Sequence, residues 1–485
     1  MIDRQNILRL AAVLLVCCLI PAFSPVSAAE STSPVTLTVA ANDSTELSKN
    51  PADYVCDGVD DQAEIQAALA ALPEGGMVVL TEGTFNCARV IAPAAGTTLS
   101  GQGPEATFLE FTHDGRISVD QESITLDGFH IKGTGYSSGV KWLGVMTVRA
   151  SHAKIHNVEG TADTSIQAVY LLIHDPAVYA PTLQDVEFVN CKAVDTGTYG
   201  FLHNAWGSSN KVIKDVRYEN CAAINCGSEG AFNPWITGFD FAELNDMEGL
   251  RVTDCLAEGN LESGFHFEFD PTVTDAVLDN CVSRNNGQKP YPTVAYNQND
   301  MSTHYFGCGY YAPNCDVTFK NCTAEGNSLY GFYATNGGKL YDCVDKDTGA
   351  GKTDYTYRKP AGYYSIPSRS VNPALVLENC SSTDSHGYGL QVDLASNIQI
   401  RNFELVNPAG IDGKGASLGG TNGQFSNAEV DIHASGDLVD TLVWAKNNQN
   451  VQYSGEITSG SEKAFLVEGG ENVRTEGMTV APAGE

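Results

Sequence analysis

The segment Gly264-Phe-His-Phe-Glu-Phe-Asp270 alternates aromatic and ionisable residues. Successive side chains of an extended chain point to opposite faces, so Phe265, Phe267 and Phe269 on one face put His266, Glu268 and Asp270 on the other. Neighbours on one face are roughly 7 Å apart. That separation suits two carboxylates acting on one sugar, which stand about 5 Å apart in retaining hydrolases and about 6.5–9.5 Å apart in inverting ones. It also suits a lyase, which needs a base for the C5 proton of a uronate and a cation, often Ca2+, against the carboxylate. His266, Glu268 and Asp270 are the candidate catalytic groups. Asp240 and Glu243, with Glu268 and Asp270, are the candidate Ca2+ ligands, and Arg284 is the nearby cation for substrate. The competing reading is an ordinary solvated strand face.

Flat rings are the second sign of saccharide contact, because sugar C–H faces stack on them. Trp206, Trp235, Tyr311 and Tyr333 are the candidates. Tyr311 and Tyr333, like His266, stand two residues after a glycine. Two longer segments, 233–248 and 287–314, flank the His266 segment, and long segments in a repeat array carry binding.

The elements that position these residues are repeats. Val186-Glu-Phe-Val-Asn-Cys191, Val216-Arg-Tyr-Glu-Asn-Cys221, Leu250-Arg-Val-Thr-Asp-Cys255, Ala276-Val-Leu-Asp-Asn-Cys281, Val317-Thr-Phe-Lys-Asn-Cys322 and Leu375-Val-Leu-Glu-Asn-Cys380 carry one phrase. Each alternates apolar and polar residues like a short half-buried strand. Their cysteines lie 30, 34, 26, 41 and 58 residues apart, with a weaker copy ending at Cys343 inside the last gap. Drifting periods of this size signal a solenoid with variable loops. No copy holds a helix of the length other solenoids need, so parallel strands must stack on their own copies. The expected fold is all-β: a right-handed parallel β-helix of about ten or more coils.

Fourteen cysteines in an exported chain would ordinarily mean disulfides. Stacked parallel strands instead hold equivalent side chains about 4.8 Å apart on parallel vectors, while a bridge needs Cβ atoms about 3.8 Å apart. The phrase cysteines and Cys343 therefore read as an interior ladder of free thiols. Off the ladder lie Cys308 and Cys315, and Cys56 and Cys87, the last two being the likeliest bridge.

Arg4 and Arg9, the apolar run Leu10 to Ile20 and the small residues Ser27-Ala28-Ala29 have the pattern of a secretory signal peptide. The division expected is signal peptide 1–29, polar leader 30–50 and β-helix 51–485. A capping helix near 61–72 covers the first coil, with Asp61 and Glu64 as an acidic capping box. The formal charge of −31, from 59 acidic and 28 basic residues, argues against nucleic acid or anionic membrane as partner. The expected mature protein is secreted or held at the cell surface, monomeric and without a transmembrane segment.

The Asp60-Asp61 helix, the Gly75 to Leu80 strand, the Gly101-Gln-Gly103 turn and the Asn-Cys coils resemble the pectate-lyase-like superfamily of right-handed β-helix proteins. Ala52-Asp-Tyr-Val-Cys-Asp-Gly-Val-Asp-Asp61, Gly264-Phe-His-Phe-Glu268 and Asn280-Cys-Val-Ser-Arg-Asn-Asn286 resemble exported β-helix proteins of methanogenic archaea related to disaggregatase. The resemblance implies a protein that binds and cleaves an acidic, uronate-containing polysaccharide of an envelope or matrix. The alternative is a non-catalytic adhesin or envelope protein of the same fold. The Asn-Thr-Asp, Asp-Asp and Gly-His-Gly set of the polygalacturonase branch is missing.

Overall fold

The computed structural model describes residues 34–482 apart from 175–181, 206–211, 228–234, 242–245, 268–272, 290–306, 336, 351–357, 367–373, 394–395 and 420–424. The corners of each coil follow from residue type. In the coil of Cys191, strand Glu187–Val189 ends at Asn190 (φ 55°) and strand Lys192–Val194 at Asp195 (φ 49°). The left-handed region costs most L-residues about 1–2 kcal/mol but is visited by Gly, Asn and Asp. Such corners recur five residues apart at Asn220 and Asn225, Asp254 and Gly259, Asn280 and Asn285, Asn321 and Gly326, and Asp342 and Asp347. Between corners each three-residue strand buries its middle side chain. On the surface the corner amides join into a column: Asn220 Nδ2 donates to Asn190 Oδ1 at 2.8 Å, and Asn190 Nδ2 to Asn157 Oδ1 at 2.9 Å.

Among the described residues these strands build a 26-stranded sheet that turns through the Asn corners, a 14-stranded sheet opposite it and a short three-stranded one, whose ladder pairs run parallel from coil to coil. This is the expected right-handed parallel β-helix, with one strand of the 14-stranded sheet per coil. It begins earlier than expected. Strand Thr36–Ala40 pairs with Gly76–Leu80, so the stretch read as a polar leader supplies a strand whose Val39 and Ala40 enter the core.

Helix Gln62–Ala70 closes the N-terminal end, burying Ile65, Ala68 and Leu69. The capping box does not form. Asp61 has helical angles (φ −57°, ψ −14°) and makes no side-chain cap bond. Its carboxylate turns to the neighbouring coil instead, accepting from the backbone N–H groups of Gly58 (2.8 Å) and Asn86 (2.7 Å).

The core is a column of rings. Tyr170, Phe201, Phe239, Phe265, Tyr310, Phe332 and Tyr363 stack with successive centroids 4.7–5.1 Å apart. The three tyrosine hydroxyls donate to backbone carbonyls, Tyr310 to that of Cys281 and Tyr363 to that of Cys343, each at 2.7 Å. The ladder cysteines 191, 221, 255, 281, 322, 343 and 380 are buried free thiols, as expected. Cys56 and Cys87 are free as well, which corrects the expected bridge. The Cys56 thiol faces the Asp61 carbonyl and the Cys87 thiol that of Phe85, so each addresses backbone. Cys308 and Cys315 are also unbridged.

Candidate functional site

The outward side of the 14-stranded sheet carries one continuous row. Leu202, Asp240, His266, Tyr311, Tyr333, Tyr364, Gln391, Ser417 and Trp444 are partners in register on nine successive strands. Each inward ring of the core column sits one residue earlier in the same strand, and before it, in most coils, comes a glycine. The glycine is required where the strand closes on the opposite wall. A Cβ on Gly264 would lie 2.0 Å from Ser283 Oγ, and one on Gly331 2.2 Å from Asp345 Oδ1. The sequence Gly-aromatic-X therefore presses backbone inward and delivers X to the outer face.

Within the row the rings contact one another. The His266 ring lies 4.5 Å from Tyr311, Tyr311 lies 5.2 Å from Tyr333, and Tyr333 lies 5.1 Å from Tyr364. Tyr330 stacks on Tyr364 at 4.2 Å. Tyr330, Tyr333, Tyr364 and Tyr388 form an apolar cluster separate from the main core, with Tyr311 packed against it. His266 is 8% exposed and its neighbour Asp240 3%, so neither of these two is a solvated side chain. Glu262, in the turn before Gly264, brings Oε2 to 3.3 Å from His266 Nδ1. The carboxylate and the imidazole thus face each other across the coil glycine. Farther along, Gln391 Nε2 donates to Asp393 Oδ2 at 2.8 Å. Burial raises the Asp393 carboxyl above the usual carboxylate range, and burial beside Asp412 and Asp393 pushes the Tyr388 hydroxyl up to about 12.

Of the residues singled out by sequence, Asp240, His266, Tyr311 and Tyr333 fall in this row. Glu268, Asp270, Trp206 and Glu243 lie outside the described residues, as does much of segments 233–248 and 287–314. Trp235 is half-buried and packs against the core. Arg284 does not belong to the site. It stands on the 26-stranded sheet and pairs with Glu258 of the adjacent coil at 2.8 Å, because strand alternation separates inward from outward but not one outer face from another. Glu262, Tyr364, Gln391, Asp393 and Trp444 went unnoticed. For Tyr364 and Gln391 the signal was available, since both stand two residues after a coil glycine.

Asp240 was the expected Ca2+ ligand. Its partner across the ladder is His266, and the other expected ligands Glu243, Glu268 and Asp270 lie outside the described residues. Among the described residues the trio of possible ligand atoms lying within 4.8 Å of one another is Cys56, Asp61 and Glu64 at the N-terminal cap. Both Asp61 oxygens are taken by backbone N–H groups, and burial beside acidic neighbours holds the Cys56 thiol protonated. That trio is structural.

No protein-family model matches the chain, and no curated protein does. Among solved structures it is similar to the A-module of the Azotobacter vinelandii mannuronan C-5 epimerase AlgE4, at 13% identity over 87% of this chain and 96% of that one, with a TM-score of 0.37. It is also similar to the pectate lyase Pel9A, at 16% identity over 80% of each chain and a TM-score of 0.39. A rhamnogalacturonan lyase matches at 14% identity over 76% of this chain and 82% of that one, with a TM-score of 0.37.

Proposed function

We propose that this protein binds an acidic, uronate-containing polysaccharide of a cell envelope or matrix along the outer row of the 14-stranded sheet, and cleaves it by proton transfer at His266. The observation that carries this reading is the Glu262–His266 pair set at the end of a run of tyrosine rings. In an elimination, the imidazole would take the C5 proton of a uronate. The C5–H electrons become the C4=C5 double bond, the C4–O bond breaks, and the leaving oxygen is protonated. Tyr311 and Tyr333 would hold neighbouring units. Glu268 and Asp270, next in sequence, are the groups to supply the second proton transfer or, as a carboxylate pair, hydrolysis. Asp240 with Glu243 is where a Ca2+ ion would be held, and no step is routed through it. The signal-peptide pattern of residues 1–29 supports a secreted or surface-bound protein. Among the described residues no helix is long and apolar enough to cross a membrane.

The burial of Tyr333, 5% exposed, favours a second reading, a stiff non-catalytic surface protein whose tyrosines only pack. Incubation with alginate, polygalacturonate and other acidic polysaccharides separates the two. A lyase produces ultraviolet absorbance from an unsaturated uronate, a hydrolase produces reducing ends alone, and His266→Ala abolishes either. Absence of both products across the panel would leave the surface-protein reading in place.

A further inference from the structure

Three coils beyond Tyr364 the outer row reaches Trp444, one strand before Leu466, and its surroundings differ from those of the tyrosines. Lys414 Nζ lies 4.5 Å and Lys446 Nζ 5.1 Å from the centroid of the indole. Trp444 is 7% exposed, and its Nε1–H is buried with no hydrogen-bond partner. An indole N–H ordinarily finds an acceptor when buried. The lysines are equally uncommitted. Neither makes an ion pair among the described residues, in a chain with 59 acidic and 28 basic residues. Glu468 stands in register beside Lys446 without forming a bridge, and the polar contact of Lys414 Nζ is a 3.5 Å approach to the Asp412 carbonyl. Ser417 and Gln391, the two preceding members of the row, lead from this corner back to the tyrosine cluster.

We infer that Trp444, Lys414 and Lys446 form a subsite for the carboxylate of a uronate unit, at the end of the saccharide path remote from His266. Two ammonium groups resting on one ring are held by its quadrupole, and both sit on flexible stems. A uronate carboxylate draws them off the ring. The ring face is then free for the sugar C–H surface, and the indole N–H gains an acceptor among the sugar oxygens. Charge neutralisation here comes from side chains and needs no divalent ion. This inference rests on the proposed saccharide path and extends it by three coils.

The test is binding of short oligogalacturonates and oligomannuronates, with their carboxyl-reduced neutral counterparts, to the full chain by calorimetry and tryptophan fluorescence. The expected result is binding that quenches fluorescence and weakens on carboxyl reduction. It should weaken at least about tenfold in the double variant Lys414→Gln, Lys446→Gln and in Trp444→Phe, a difference of about 1.4 kcal/mol. These variants should melt like the parent protein. Retained affinity in the lysine double variant, with loss in Tyr311→Ala, would overturn the subsite and leave the tyrosine path standing. Equal affinity for the neutral counterparts would also overturn the subsite. No binding of any saccharide by the parent protein would remove the proposed function itself.

Discussion

Glu262 Oε2 lies 3.3 Å from His266 Nδ1, four residues on and across the coil glycine Gly264, with both side chains buried. In this pair Nδ1 is the ring nitrogen that faces the carboxylate. His266→Ala is expected to lower turnover by about 10²–10⁴. Glu262→Gln, a change in a positioning residue, should lower it less and move the limb of the pH–rate profile that reports the imidazole. Unchanged turnover in His266→Ala on a confirmed substrate would relocate the chemistry.

Asp345 is wholly buried among Thr348, Ser382 and Ser385, whose hydroxyls donate to it at 2.5, 2.9 and 2.8 Å. Burial raises its carboxyl to about 6, above the unfolded value of about 3.9. The folded state therefore favours the protonated form, and stability falls as pH rises from about 4 to about 6, by about 3 kcal/mol at most. Asp345→Asn should flatten that slope and raise the melting temperature at neutral pH. A variant with the same pH dependence as the parent in denaturant titrations would refute this account.

Asn220 occupies a left-handed corner (φ 51°) and donates to Asn190 in the surface column. Asn220→Ala should cost about 1–2 kcal/mol from backbone strain. Asn220→Gly relieves the strain and should cost less. Denaturant midpoints of the two variants give the comparison, and an alanine variant as stable as the glycine one contradicts it.

Twelve cysteines of the described chain are free and buried. Burial pushes the Cys226 thiol up to about 12 and raises that of Cys308 as well. Native protein should resist a thiol reagent, and denatured, non-reduced protein should yield twelve thiols from these positions. A lower count would reveal bridges.

The alternation before each cysteine was enough to place the strands, the thiol ladder and the fold. The glycine two residues before His266, Tyr311 and Tyr333 already marked the outer row, and the same rule reaches Asp240, Tyr364, Gln391 and Ser417. What stayed hidden depends on three-dimensional closure. Arg284 is as outward-facing as His266 by periodicity, yet the two sit on different sheets. Glu262 meets His266 through a turn that no periodicity describes. Asp61 looked like a cap, but a residue with helical angles cannot bend its side chain back over the first turn, and the adjacent coil offered better donors. Cys56 and Cys87 were paired by elimination from the ladder, a criterion that carries no direction for either thiol.

The two left-handed corners that bracket each inner strand of the larger sheet are always five residues apart, from Asn190 and Asp195 to Asn402 and Asn407. Differences in coil length are thereby confined to the connections entering and leaving the smaller sheet. Asn225 and Phe239 are separated by fourteen positions, Gly326 and Phe332 by six. Coil-to-coil variation in length thus falls between the corners and the ring-bearing strands, while the corner spacing keeps count. A lineage carrying this coil can lengthen or shorten these connections without slipping the register that aligns the rings of the smaller sheet.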